Sequence, residues 1–187
     1  MVFFQRNRVF SSLTEAIAKI ALLFFICVGL AQGNEELEFK IKAAYLYNFT
    51  KFISWPDKNT PTFDICIVGN DPFKNLLDSL ETKTAQGKPI HIIRNVATNQ
   101  MSDCHIVYFD DSVPHLNPRT LAKTLVVGSL SVSSQPLFAN SGGMIGFVLE
   151  DEKVKLHINL HAVKKAGLGI SAKLIEVSTL VEEGEHE

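Results

Sequence analysis

Apolar positions recur at helical spacing along residues 35–53, where Leu37, Ile41, Ala44, Tyr45, Phe49 and Phe52 fall on one face behind acidic residues in the opening turn. The pattern predicts a long amphipathic helix that stops at Trp55-Pro56, since a residue before proline avoids helical dihedrals. Phe63-Asp-Ile-Cys-Ile-Val68 then reads as a buried strand, Gly69-Asn-Asp-Pro72 as a turn, and Phe73, Leu76, Leu77 and Leu80 as a helical face. Further strands are expected at residues 90–94, 105–109 and 130–133, with a short helix at 118–125. After Gly142-Gly143, residues 144–149 and 154–158 flank the acidic turn Glu150-Asp-Glu152, and the second alternates as a hairpin partner with one wet face does. Two last helices, 161–166 and 171–181, are separated by Gly167-Leu-Gly169. The expected fold class is α/β: a single-domain sandwich whose mixed sheet is mostly parallel first, ends in an antiparallel hairpin and is flanked by helices.

The N-terminus changes this picture. Arg6, Arg8 and Lys19 precede the apolar run from Ile20 to Leu30, and Ala31-Gln-Gly33 follows with small residues where a signal peptidase reads. The run is shorter than the roughly 17 to 25 residues that span a bilayer. We therefore expect residues 1–33 to be a cleaved secretory signal peptide and 34–187 to be the mature periplasmic domain. The large Phe25-Ile26 pair ahead of Cys27 does not suit a lipoprotein signal. Without the leader's Arg6, Arg8, Lys19 and Glu15, 15 basic residues face 19 acidic ones, a net charge of −4. No basic run remains, so a nucleic-acid partner is not expected. Direct membrane insertion after cleavage is not expected either.

Export also changes the meaning of the cysteines. The mature chain keeps Cys66 and Cys104, and a disulfide-permissive compartment favours a bridge between them over two buried free thiols. Cys66 lies in the first expected strand and Cys104 just before the third, which are neighbours in flavodoxin-like strand orders.

Candidate chemistry is sparse. The serines at 129, 131, 133 and 134 lack the nucleophile-elbow pattern, and the close pair His157 and His161 crosses a strand-to-helix boundary. Asp110-Asp111 follows a strand where α/β proteins place ligands, but also suits a cap on the next segment. No catalytic residue, metal site or cofactor is assigned.

Several segments together resemble the YfiR family of periplasmic proteins: residues 42–56 (KAAYLYNFTKFISWP), 65–69 (ICIVG), 103–107 (DCHIV), 130–133 (LSVS), Phe138 with 142–145 (GGMI), and 158–160 (INL) through 166–171 (AGLGIS). The resemblance implies a repressor that binds the periplasmic domain of an inner-membrane diguanylate cyclase of the YfiN type. It also implies a partner contact at Ile158, Asn159 and Leu160, although Asn159 reads equally well as a helix cap between two core residues. The aromatic first helix is the place for a homodimer, if its rings are not all spent on the core. A second class stays open: a periplasmic small-solute-binding module whose pocket gathers Gly69, Asn70, Ser133, Gly142 and Gly143.

Overall fold

The computed structural model describes residues 34–97, 100–101, 103–113, 127–182 and 184. The signal-peptide expectation and the helix expected at 118–125 lie outside these residues. Contacts divide the chain into two compact units, Met1–Glu38 and Phe39–Glu187. Of the first, only residues 34–38 are described, the opening turn of helix α1 (34–52).

Within the second unit an eight-stranded sheet forms from β2 (Phe63–Val68), β3 (Thr84–Ala85), β4 (Lys88–Ile93), β5 (Ile106–Phe109), β6 (Leu130–Ser133), β7 (Ile145–Glu150), β8 (Lys153–Ile158) and β10 (Thr179–Leu180). Its spatial order is β10-β8-β7-β6-β5-β2-β4-β3. The central run β4-β2-β5-β6-β7 is parallel throughout. That is the flavodoxin-like order, in which winding reverses between β2 and β5. Antiparallel pairing comes at the β7–β8 hairpin and at the short β3–β4 edge. The expected fold class therefore holds, with the parallel part first and the hairpin late.

Parallel strands covered on both faces need side chains that bury in both directions, and β2 and β5 are buried at every position. Alternation sends Phe63, Ile65, Ile67, Ile106, Tyr108, Leu130, Val132, Ile145 and Phe147 into a large core. The same core receives Ala43, Leu46 and Phe49 of α1. Phe147 lies 6.1 Å from Phe49 and 6.0 Å from Tyr45, and Trp55 meets Phe63 edge-on at 5.1 Å. Most of the helix's aromatic surplus is thus used inside the fold. Opposite residues of the same strands, Cys66, Val68, Val107 and Phe109, build a smaller core with Val96, Met101, Cys104 and Phe138.

Three elements depart from expectation. The segment after Gly69 is a 3-10 helix, Lys74–Leu80, whose tighter winding stacks residues three apart and so buries Leu77 and Leu80 together. Arg94 fastens it to β4 through Asp71 (2.7 Å) and Asp78 (2.7 Å). The last helix is shorter than expected: α3 (Ala172–Glu176) stops where Ser178 donates from its hydroxyl to Leu174 O. The chain then extends as β10, parallel to β8. Finally, Ile53–Ser54 leave the helical run as strand β1 and pair with β9 (Gly169–Ile170), which follows helix α2 (Leu160–Lys165).

Candidate functional site

Cys66 and Cys104 are joined by a disulfide, with Cα atoms 5.9 Å apart and both residues buried. The bond ties the middle of β2 to the lead-in of β5, the adjacent strand. It lies in the smaller core, on the sheet face away from α1's packed side.

At the carboxyl ends of the parallel strands, the five residues expected to line a solute pocket are placed as follows. Gly69 has a φ of +90°, and a Cβ there would meet Val113 Cγ2 at 2.6 Å and Ser112 Oγ at 2.9 Å. The turn after β5 therefore lies directly against it. Asn70 donates its backbone N–H to Ser112 Oγ, and Ser112 donates its own to Asp110 Oδ2, the capping role expected of that carboxylate. Ser133 is fully buried: its hydroxyl donates to Phe109 O and accepts from the Gln135 N–H. Gly142 and Gly143 are buried on the β6–β7 connection, and the Phe138 ring fills the space beside Gly143. The topology brings these turns to one end of the sheet, and protein side chains occupy the space beside Gly69 and Gly143.

The segment expected to touch a partner lies mostly inside the fold. Ile158 and Asn159 are both 0% exposed, so neither presents a side chain to another molecule in this fold. Ile158 ends β8 with Ile145 and Leu180 as its flanking partners. Asn159 caps α2, accepting the Ala162 N–H at 2.9 Å through Oδ1 and donating through Nδ2 to Ala139 O at 3.0 Å. Only Leu160, half-buried at the start of α2, reaches the surface. The amide is held inside because it satisfies backbone groups from two connections at once, and an unpaired buried backbone group costs as much as a lost hydrogen bond.

Sequence reasoning missed a second cluster, at the amino ends of the strands. Trp55, Pro56, Asp57, Lys58, Gln86, Lys88 and His105 line a hollow of about 220 Å³. Lys58 Nζ donates to Cys104 O (3.0 Å) and Ser129 Oγ (3.1 Å), while Lys88 Nζ donates to Lys58 O and, at 3.5 Å, to Thr60 Oγ1. Gly128 makes this arm possible. At a φ of +85°, it lies where a Cβ would press on Pro56 Cγ at 2.8 Å and Lys58 Cε at 3.2 Å. Burial holds the Lys58 ammonium below its ordinary value, against the pull of Asp103 and Asp64. The signal was topological: in a parallel sheet the strands' amino ends, here Lys88 opening β4 with His105 and Ser129 just before β5 and β6, share one end.

His105 sits in the wall of that hollow, stacked on Phe63 at 4.4 Å. Its Nδ1 accepts the Asp64 N–H at 3.0 Å, which fixes a neutral ring with the proton on Nε2, 3.5 Å from Thr60 Oγ1. Burial, then the charge on Lys58, pushes its pKa down to about 4, with Asp64 pulling the other way and Lys88 adding to the fall. An unfolded chain takes up this proton near pH 6.5, the folded one only near pH 4. Stability is therefore full above about pH 6.5 and falls as the pH drops towards 4. Denaturant unfolding of wild type and His105→Gln across that window checks it. The two curves should diverge by up to one proton's slope, and parallel curves would show that His105 is not neutral in the fold.

A family profile described as YfiR/HmsC-like matches residues 39–179. The chain belongs to the YfiR/HmsC-like family. This match spans α1 from Phe39 through the start of β10, so both sheet ends described above lie within the YfiR/HmsC-like region. No curated protein sequence matches the chain. Among solved structures, the ABC domain in complex with L-Trp from Streptococcus pneumonia is similar at a TM-score of 0.49 and 10% identity. The alignment covers 79% of this chain and 60% of that one, so the chain spans less than two thirds of its length. Among the described residues no three His, Cys, Asp or Glu side chains converge as a metal site would require, and no helix is long and apolar enough to cross a membrane.

Proposed function

We propose that this chain is a periplasmic regulatory protein that represses an inner-membrane diguanylate cyclase by binding its periplasmic sensor domain. The observation that carries the reading is the YfiR/HmsC-like match over residues 39–179. The disulfide between Cys66 and Cys104 accords with an oxidising compartment. Repression across a membrane requires a preference for one state of the receptor, because equal affinity for both states shifts nothing. The protein then acts as a ligand whose binding energy is spent on holding the cyclase in its silent state. Of the segment expected at the interface, Leu160 supports the reading as the side chain that stays partly accessible, at the start of α2.

Deleting the gene should raise cellular cyclic-di-GMP, and restoring the wild-type chain should lower it again. Capture of detergent-solubilised membranes on the residue 34–187 domain should retain the cyclase, and Leu160→Asp, with its melting curve recorded, should reduce that capture. Unchanged cyclic-di-GMP in the deletion strain while the cyclase is expressed would overturn the reading.

A further inference from the structure

The hollow at the amino ends of the strands brings two lysines to one small cavity beside an indole ring. Each ammonium has three hydrogens. Lys58 Nζ gives two of them to Cys104 O and Ser129 Oγ, and Lys88 Nζ gives two to Lys58 O and Thr60 Oγ1. Among the described residues, one N–H of each has no hydrogen-bond acceptor. The acids nearby do not close this account. Asp64 accepts from Thr62 Oγ1 at 2.7 Å and lies 3.4 Å from His91, its register partner on β4, and it acts on Lys58 through its field. Asp103 likewise acts on Lys58 through its field. Asp57 is 98% exposed and stands 3.9 Å from Lys88 Nζ, a loose surface pair of the kind worth little in water. That carboxylate shows which chemistry Lys88 attracts, and it is held weakly enough to be displaced.

We propose that this hollow binds a small carboxylate, its anionic group held by Lys58 and Lys88 and its apolar body against Trp55 and Pro56. The walls suit that division. Lys58 is fixed by two acceptors and by the close approach of Gly128, so its charge is already oriented before a ligand arrives. His105, neutral and stacked on Phe63, adds no competing charge. A volume of about 220 Å³ suits a group the size of a single-ring acid. The proposal is independent of the regulatory reading: either can fail while the other stands.

Trp55 is the chain's one tryptophan, so its fluorescence reports this cavity alone. We would titrate the residue 34–187 domain with benzoate and with benzamide, its uncharged counterpart, at constant ionic strength set with chloride. Benzoate should give a saturable change, with benzamide weaker by about tenfold or more, as expected for loss of charge-assisted hydrogen bonds. Lys88→Gln should weaken benzoate by a similar factor. Asp57→Asn removes the competing carboxylate from a fully solvated position where folding is not at stake, and should tighten binding several-fold. The proposal is overturned if benzoate gives no saturable change, or if benzamide or chloride reproduces its effect. It is equally overturned if both variants bind benzoate as wild type does. Should Lys88→Gln fail to fold, the Asp57→Asn comparison decides alone: unchanged or weakened affinity sinks the proposal.

Discussion

Replacing both bridged cysteines, Cys66→Ala with Cys104→Ala, is expected to lower unfolding stability by about 4 kcal/mol. The figure follows from the 38-residue separation, since closing a loop of that length removes freedom from the unfolded chain. Such a loss is a large fraction of the 5–15 kcal/mol by which domains of this size are stable. The double variant is the cleaner test, because a single replacement leaves one thiol free to pair elsewhere. Its position sharpens the expectation. Both cysteines are buried in the smaller core with Val68, Met101, Val107 and Phe138, so the bond also holds the lead-in of β5 against β2. Denaturant melts of the wild type, oxidised and reduced, and of the double variant should place the last two together. A difference under about 1 kcal/mol between oxidised wild type and the double variant would refute the entropic account.

The second large effect separates folding from recognition. Ile158→Asp should destabilise the domain by about 5 kcal/mol or more, the sum of a lost core side chain and a carboxylate placed where water cannot reach it. Ile158 is 0% exposed and flanked by Ile145 and Leu180 across two strand pairings. Loss of the proposed repression in this variant would therefore report loss of the protein, seen as a falling steady-state level. Leu160→Asp should cost far less, because that side chain is only half-buried. Circular dichroism melts and immunoblots of the two variants side by side check the contrast. A native melting curve for Ile158→Asp would mean that the strand end is not interior.

Much of this architecture is legible along the chain because its strands carry unmistakable patterns. Phe63–Val68 is apolar at five of six positions, and the β7–β8 hairpin is announced by alternating residues around an acidic turn. The disulfide was legible for the same reason, since the strand order follows from an α/β rhythm and the order sets the neighbours. What escaped the pattern is what tertiary contact decides. The 3-10 winding of Lys74–Leu80 has the same leucines as an α-helix would, and Arg94, just after β4, ties it down. Thr179–Leu180 extends because β8 offers an open edge, which no local signal encodes. Asn159 had two readings of equal merit in sequence, and burial chose the cap. The lysine-lined hollow was invisible because Lys58, Lys88 and His105 are far apart in the chain and meet only through strand register.

The pairing of β1 with β9 sets a condition on how the chain reaches its native state. Ile53 faces Ile170, and Ser171 donates its N–H to Phe52 O, so the exit of the first helix is stitched to a segment near the other end of the sequence. A chain delivered N-terminus first presents α1 early, with Leu46, Phe49 and Ile53 waiting for walls that arrive last. Contacts so distant along the sequence are slow to form, and an apolar helix left uncovered in the meantime is a target for aggregation. The segment that begins the fold can be sealed only by the one that nearly ends it, which makes late truncations as damaging to the first helix as to the last.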